Sequence, residues 1–171
     1  MNGAAELHFD AVLAALLEAS DDALWSGRLR DLGRARDRVL HVAVMHEPYL
    51  SLLLEGVKTI ESRFSVKRIQ PFERVEAGDV LALKRQSGPV VGVALVSEAR
   101  FYELDAEVID TLRGEYAAEL AATDDVFWRE REHAAYATLI GVTHPRRLSD
   151  VPVQKRDRRG WATLAPAGPL A

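Results

Sequence analysis

Cysteine is absent from the 171 residues of the chain. Without thiols, the sequence excludes a disulfide framework, a thiolate metal site and a cysteine nucleophile. Long apolar runs are missing as well, because charged residues interrupt every hydrophobic stretch well before the roughly 18 residues of a membrane span. The N-terminal letters MNGAAELHFDAVL lack the basic region of a signal peptide, so we expect a cytoplasmic protein.

The common nucleotide and hydrolase motifs are also absent. There is no P-loop, no G-x-G-x-x-G and no G-x-S-x-G elbow. His41 and His46 lie five residues apart, which is not the spacing of a zinc-binding histidine pair. We therefore expect no cofactor and no metal.

Excess charge of one sign is small over the whole chain but large locally. The formal net charge is −4, which excludes a globally basic nucleic-acid coat. Residues 98–132 carry eleven acidic and four basic side chains, whereas residues 145–159 have a net charge of +4. This segregation favours one positive face for an anionic ligand; the alternative is that loops simply vary in charge.

The composition, with 48% hydrophobic residues, is typical of a globular protein, and 171 residues are the length of one domain. Phe9, Val12, Leu13 and Leu16 recur at helical spacing, and a second helix with an arginine-rich face follows the break at residues 20–22. These patterns predict an N-terminal helical extension over residues 1–38. Its basic face is either solvated or a contributor to nucleic-acid binding.

Strand patterns dominate the region from about residue 39 to residue 103. A short helix around residues 50–57 interrupts them, and a helical insertion is predicted over about 104–132. We expect an α+β fold: a small, mostly antiparallel β-barrel over 39–164, flanked by helices, with a loose tail at 165–171. The predicted strands cover residues 39–44, 59–64, 79–83, 89–96, 136–143 and 160–164.

The segment from Gly56 to Arg63 carries the clearest chemistry. A glycine ends a helix, a strand begins, and period-2 alternation places Thr59, Glu61 and Arg63 on one face beside Lys58. A carboxylate between two cations is costly to bury without partners. From the residues alone, the group is either a surface salt-bridge cluster or the lip of a ligand cleft.

This segment resembles the G-x-K-x-x-E-x-R signature of the ASCH domain, a relative of the PUA domain. The helix at 48–55 and the strands at 77–83 and 92–96 are similar to the elements around that signature, and 158–161 resembles the closing strand of some members. The resemblance implies a PUA-like barrel with a cleft lined by the signature, and RNA or a nucleotide-like molecule as the ligand.

Some ASCH members resemble hydrolases: a ribonuclease in one branch, and in another an amidohydrolase for acylated cytidine. In an enzyme, Lys58 and Glu61 would be catalytic, with Glu61 as general base and Lys58 beside the developing oxyanion. The amidohydrolase branch uses a lysine, a threonine and a glutamate; Lys58 matches the lysine, but Glu61 occupies the threonine position. Flanking cations also stabilise the carboxylate form of Glu61, which opposes a role as base.

Further ligand-binding candidates lie outside the signature. Tyr49 either lines the cleft or packs on its helix, and Lys84 either extends a basic lip or ends an exposed strand. Arg158 and Arg159 precede Trp161. In one interpretation the arginines bind phosphate and the tryptophan stacks on a base; in the other the tryptophan closes the hydrophobic core. A third interpretation is a protein-interaction module, in which the apolar stripe of the first helix is exposed.

Overall fold

The computed structural model describes residues 3–168. It contains five helices and eight strands in this part of the chain. The helices are α1 (Phe9–Ala19), α2 (Ala23–Ala35), α3 (Tyr49–Leu54), α4 (Ala106–Tyr116) and α5 (Asp125–Arg129). The strands are β1 (Ala5–Glu6), β2 (Leu40–Met45), β3 (Ile60–Ser65), β4 (Val80–Arg85), β5 (Val90–Glu103), β6 (Tyr136–Val151), β7 (Val153–Gln154) and β8 (Trp161–Leu164).

Six strands form one sheet in the order β3-β6-β5-β4-β2-β8. Two pairs are antiparallel, β3 with β6 and β2 with β8. The strands β2 and β4 are parallel, and the connection between them contains α3 and β3. The short strands β1 and β7 form a second, parallel pair. No helix within 3–168 is long and apolar enough to cross a membrane.

The chain divides into two compact units, which we treat separately. Within the described residues, the first comprises 3–46, 79–94 and 146–168, and the second comprises 47–78 and 95–145. The long strands β5 and β6 contribute residues to both units. Residues 1–2 of the predicted extension and 169–171 of the predicted tail lie outside the described residues.

The first unit contains both N-terminal helices. The predicted break between them is confirmed: Asp22 caps α2, its carboxylate accepting a hydrogen bond from the Trp25 amide at 2.9 Å. The four residues of the apolar stripe (Phe9, Val12, Leu13 and Leu16) are all buried within the chain. The interaction-module interpretation therefore lacks the exposed stripe that it requires.

A buried polar network in this unit ties β8 to β2. His41 is fully buried; its Nε2 lies 2.9 Å from Asp79 Oδ2, and its Nδ1 is 3.1 Å from the indole nitrogen of Trp161. An indole N–H only donates, so Nδ1 accepts and Nε2 carries the proton that is donated to Asp79. The network therefore fixes one tautomer of His41.

The second unit is built around aromatic packing, to which the predicted insertion contributes. Phe127 and Trp128 of α5 pack with Ala137 and Leu139 of β6 and with Ile109 and Leu112 of α4. Phe64 of β3 and Tyr49 of α3 lie against this cluster. The insertion thus forms part of the hydrophobic core beside the signature segment.

Candidate functional site

The signature segment starts where α3 ends. Gly56 adopts φ +76, a left-handed conformation that favours glycine at a helix C-terminus. The amides of Val57 and Lys58 both donate to the carbonyl of Leu52, at 2.9 and 3.0 Å. These bonds fix the point at which the chain leaves the helix, and so place Lys58 directly before β3.

Lys58 points into the protein. Its ammonium donates to the carbonyl oxygens of Ile60 at 2.6 Å and Leu120 at 3.0 Å, and Glu61 Oε2 lies 3.5 Å away. These three acceptors match the three hydrogens of the ammonium. The residue is only 3% exposed. Lys58 is therefore an internal brace whose hydrogen-bonding capacity is filled by the chain.

Burial and ion pairing act on Lys58 in opposite directions. Desolvation, the larger effect, lowers the pKa of Lys58 below its ordinary value of 10.5, while Glu61 raises it. Arg63 and Arg131 also lower it, because both are cations close enough to repel the ammonium. Four charged groups thus act on one another at this point of the second unit.

Glu61 is the anion at the centre of this group. It is 6% exposed, and its Oε1 lies 3.0 Å from Arg63 Nε while Oε2 faces Lys58. The predicted face that joins Glu61 and Arg63 is therefore present on β3. Because Glu61 neutralises one of the cations, the four groups Lys58, Glu61, Arg63 and Arg131 together carry a net charge of +2; we call them the charge cluster.

The two arginines are the partly exposed members of the charge cluster. The Arg63 side chain is 21% exposed and that of Arg131 is 27% exposed, against 2% for Lys58. Sequence reasoning did not select Arg131, because it lies far along the chain in an acidic segment. A ligand that approaches this surface meets the arginines before it meets Lys58.

Tyr49 lies beside the brace. The Lys58 ammonium is 5.5 Å from the centre of the Tyr49 ring, a cation–π distance, and the ring packs edge-on against Phe127 at 6.2 Å. The packing alternative for Tyr49 is thus met, and its side chain is partly buried; that it lines a cleft stays a prediction.

The remaining candidates lie in the first unit. The Lys84 ammonium donates to the carbonyl of Gly88 at 2.6 Å, and burial together with Lys155 lowers the pKa of Lys84. Trp161 is 4% exposed and donates to His41, which is a core environment. Arg158 and Arg159 are exposed. The structure therefore groups Lys58, Glu61, Arg63 and Tyr49 in one unit and these four residues in the other.

A folded basic loop precedes β8. Asp157 Oδ1 accepts from the Lys155 ammonium at 2.6 Å and from the Arg159 amide at 2.9 Å, and these bonds lower the pKa of Asp157. Asp157 thus organises the loop, while the Arg159 side chain remains 79% exposed. The charge of Arg159 therefore lies at the surface, whereas the Lys155 side chain is 3% exposed.

Comparison with known proteins supports the resemblance at the level of the fold. No protein-family model and no curated protein matches the sequence. Among solved structures, the ASCH protein of Zymomonas mobilis aligns with a TM-score of 0.53 at 15% identity, covering 66% of this chain and 73% of that one. A single-residue variant of the same protein aligns with a TM-score of 0.59 at 16% identity, covering 75% and 89%.

At such low identity the likeness is one of fold. The chain has an ASCH-like fold, and the prediction of an α+β, PUA-like architecture with flanking helices is confirmed. The resemblance read from the signature segment is confirmed at the same level.

Proposed function

We propose that the second unit binds RNA or a nucleotide through the charge cluster. The observation that carries the proposal is the difference in exposure within the charge cluster: Lys58 and Glu61 are buried, whereas Arg63 and Arg131 are partly exposed. Two partly exposed guanidinium groups at one surface favour an anion, and guanidinium groups suit phosphate oxygens particularly well.

In this proposal the signature residues have different tasks. Arg63 contacts a phosphate or a base carbonyl, and Glu61 holds Arg63 in place at 3.0 Å. Lys58 braces the turn before β3 through its two carbonyl acceptors. Tyr49 lines the same surface. The ASCH-like fold is consistent with this function without specifying the ligand.

The basic loop of the first unit is a separate candidate for contacts to RNA. Arg158 and Arg159 are exposed and lie on a loop that Asp157 holds in shape, so they are suited to phosphate contacts along an RNA strand. Lys84 and Trp161 are held by internal partners, and their side chains support the first unit from within.

The hydrolase alternative gains no support from the geometry. An oxyanion stabiliser needs a free donor, whereas the hydrogens of Lys58 already have three acceptors within the chain. Both carboxylate oxygens of Glu61 already face cations of the chain, Arg63 at 3.0 Å and Lys58 at 3.5 Å. A binding module therefore fits the arrangement better than a ribonuclease or an amidohydrolase.

Fluorescence anisotropy with a labelled single-stranded RNA, repeated at several salt concentrations, tests the proposal. We expect binding that weakens with salt, and Arg63→Gln should reduce the log–log salt slope by about 0.7 for one lost phosphate contact. Arg74→Gln is the matched control, since Arg74 is exposed in the same unit.

Absence of binding, or binding that is indifferent to salt, contradicts the proposal. Electrophoresis of the RNA recovered from the same titration reports cleavage. Cleavage that Glu61→Gln abolishes would establish the hydrolase alternative instead.

A further inference from the structure

The partly exposed side chain of Arg131 is held against an aromatic surface. Its Cζ lies 3.6 Å from the centre of the Phe127 ring and 5.6 Å from that of Phe64. Its Nη1 donates to the carbonyl oxygen of Phe127 at 2.7 Å. One face of the guanidinium therefore lies on Phe127, and a hydrogen bond fixes its position; we call these three residues the Arg131 stack.

The floor of the Arg131 stack is rigidly packed. Phe127 is 5% exposed and makes edge contacts with Phe64 at 6.1 Å, Trp128 at 5.1 Å and Tyr49 at 6.2 Å between ring centres. Trp128 is itself anchored by its indole N–H, which donates to the Ala122 carbonyl at 2.8 Å. Little side-chain entropy remains to be lost when a planar group stacks on such a platform.

The carboxylate that pairs with Arg131 is itself largely exposed. Its ion pair is with Glu130, at 3.6 Å, and the Glu130 side chain is 69% exposed. Burial, the largest effect, lowers the pKa of Arg131, while Tyr49 and the nearby carboxylates oppose this effect. The guanidinium is thus partly desolvated, and 27% of the Arg131 side chain is open to solvent.

We propose that the open face of the Arg131 guanidinium is a stacking platform for one unpaired nucleobase of the ligand. A guanidinium plane is one of the surfaces on which single-stranded bases stack, and its lower face is already continued by Phe127. The bases of a duplex are paired and stacked on each other, so the platform selects single-stranded over double-stranded RNA. This inference rests on the proposed function and names its substrate class.

Arg131→Lys separates stacking from charge, because lysine keeps the positive charge but lacks the planar group. With a labelled single-stranded RNA, we expect the variant to bind about 10-fold more weakly or worse, with an unchanged salt slope. Arg129→Lys is the matched control: Arg129 is exposed on the same helix and should bind as wild type. Thermal unfolding of both variants shows whether they fold.

A second measurement needs no variant. The same RNA with abasic sugars keeps every phosphate but has no base to stack, so the wild-type protein should bind it at least about 10-fold more weakly. A duplex of the same sequence should bind comparably weakly. These comparisons test the inference even if Arg131→Lys fails to fold.

The outcomes separate the inference from the proposed function. If wild type binds RNA with salt dependence but binds abasic RNA or the duplex equally well, the stacking platform is wrong and the proposed function stands. If Arg131→Gln lowers the salt slope by one phosphate contact and Arg131→Lys restores full affinity, Arg131 is a phosphate contact and the inference is overturned. If wild type binds no RNA, the proposed function itself fails.

Discussion

Replacing the brace at Lys58 should strongly destabilise the protein. Lys58→Met leaves the carbonyls of Ile60 and Leu120 without their donor and leaves Glu61 with one cation instead of two. Because Arg63 still pairs with Glu61, the loss is that of buried acceptors left without a donor, about 1–3 kcal/mol. Since domains are stable by only about 5–15 kcal/mol, this loss is a large fraction of the total.

Urea denaturation followed by far-ultraviolet circular dichroism measures this loss. Lys67→Met is the matched control, because Lys67 is exposed in the same unit and its loss should change the free energy of unfolding by at most about 0.5 kcal/mol. Adding Glu61→Leu to Lys58→Met should recover much of the stability, because the buried charge is then removed as well. If Lys58→Met lowers the free energy of unfolding by less than about 1 kcal/mol, Lys58 is not a brace.

Three further predictions concern pH, the core and the basic loop. Because burial lowers the folded-state pKa of Lys58 below 10.5, the unfolded chain binds more protons between the two pKa values. The free energy of unfolding of wild type minus that of Lys58→Met should therefore rise as pH increases through this window; a fall in a pH series of urea titrations would contradict the shift. Trp161→Phe removes the donor to His41 and should cost about 1–3 kcal/mol in thermal unfolding without weakening RNA binding, whereas a loss of affinity in the folded variant would make Trp161 a ligand contact. Replacing Arg158 and Arg159 together by glutamine should lower the RNA salt slope by about 1.4 in anisotropy titrations, and an unchanged slope would show that the loop makes no phosphate contacts.

The sequence was informative where local spacing determines structure. Strand alternation correctly joined Glu61 and Arg63, and the break before Asp22 correctly separated the first two helices. Both features depend on neighbours within a few residues, for which the backbone geometry is regular. The eight-residue signature, together with the helix before it and the strands after it, likewise predicted the fold.

Other features depend on contacts between distant segments. The two carbonyl acceptors of Lys58 belong to β3 and to the turn after α4, and nothing in the spacing predicts that the ammonium turns inward to reach Leu120. Arg131 joins the charge cluster only through the packing of α5 on β3. Long-range packing of this kind leaves no local pattern in the sequence.

The extension of β6 was also missed. The strand runs to Val151, beyond the predicted end at 143, and includes Arg146 and Arg147 of the basic stretch. His144 adopts φ +51 within the strand, and the buried Leu148 and Val151 are three residues apart. This irregularity breaks the period-2 pattern by which strands are recognised.

A structure of the protein with a bound nucleoside monophosphate tests the central claim most directly. The account predicts a phosphate oxygen at hydrogen-bond distance, about 3 Å, from the Arg63 guanidinium, with the Lys58 ammonium still bonded to Ile60 and Leu120. A phosphate bound to Lys58, with those two carbonyl bonds broken, would contradict it.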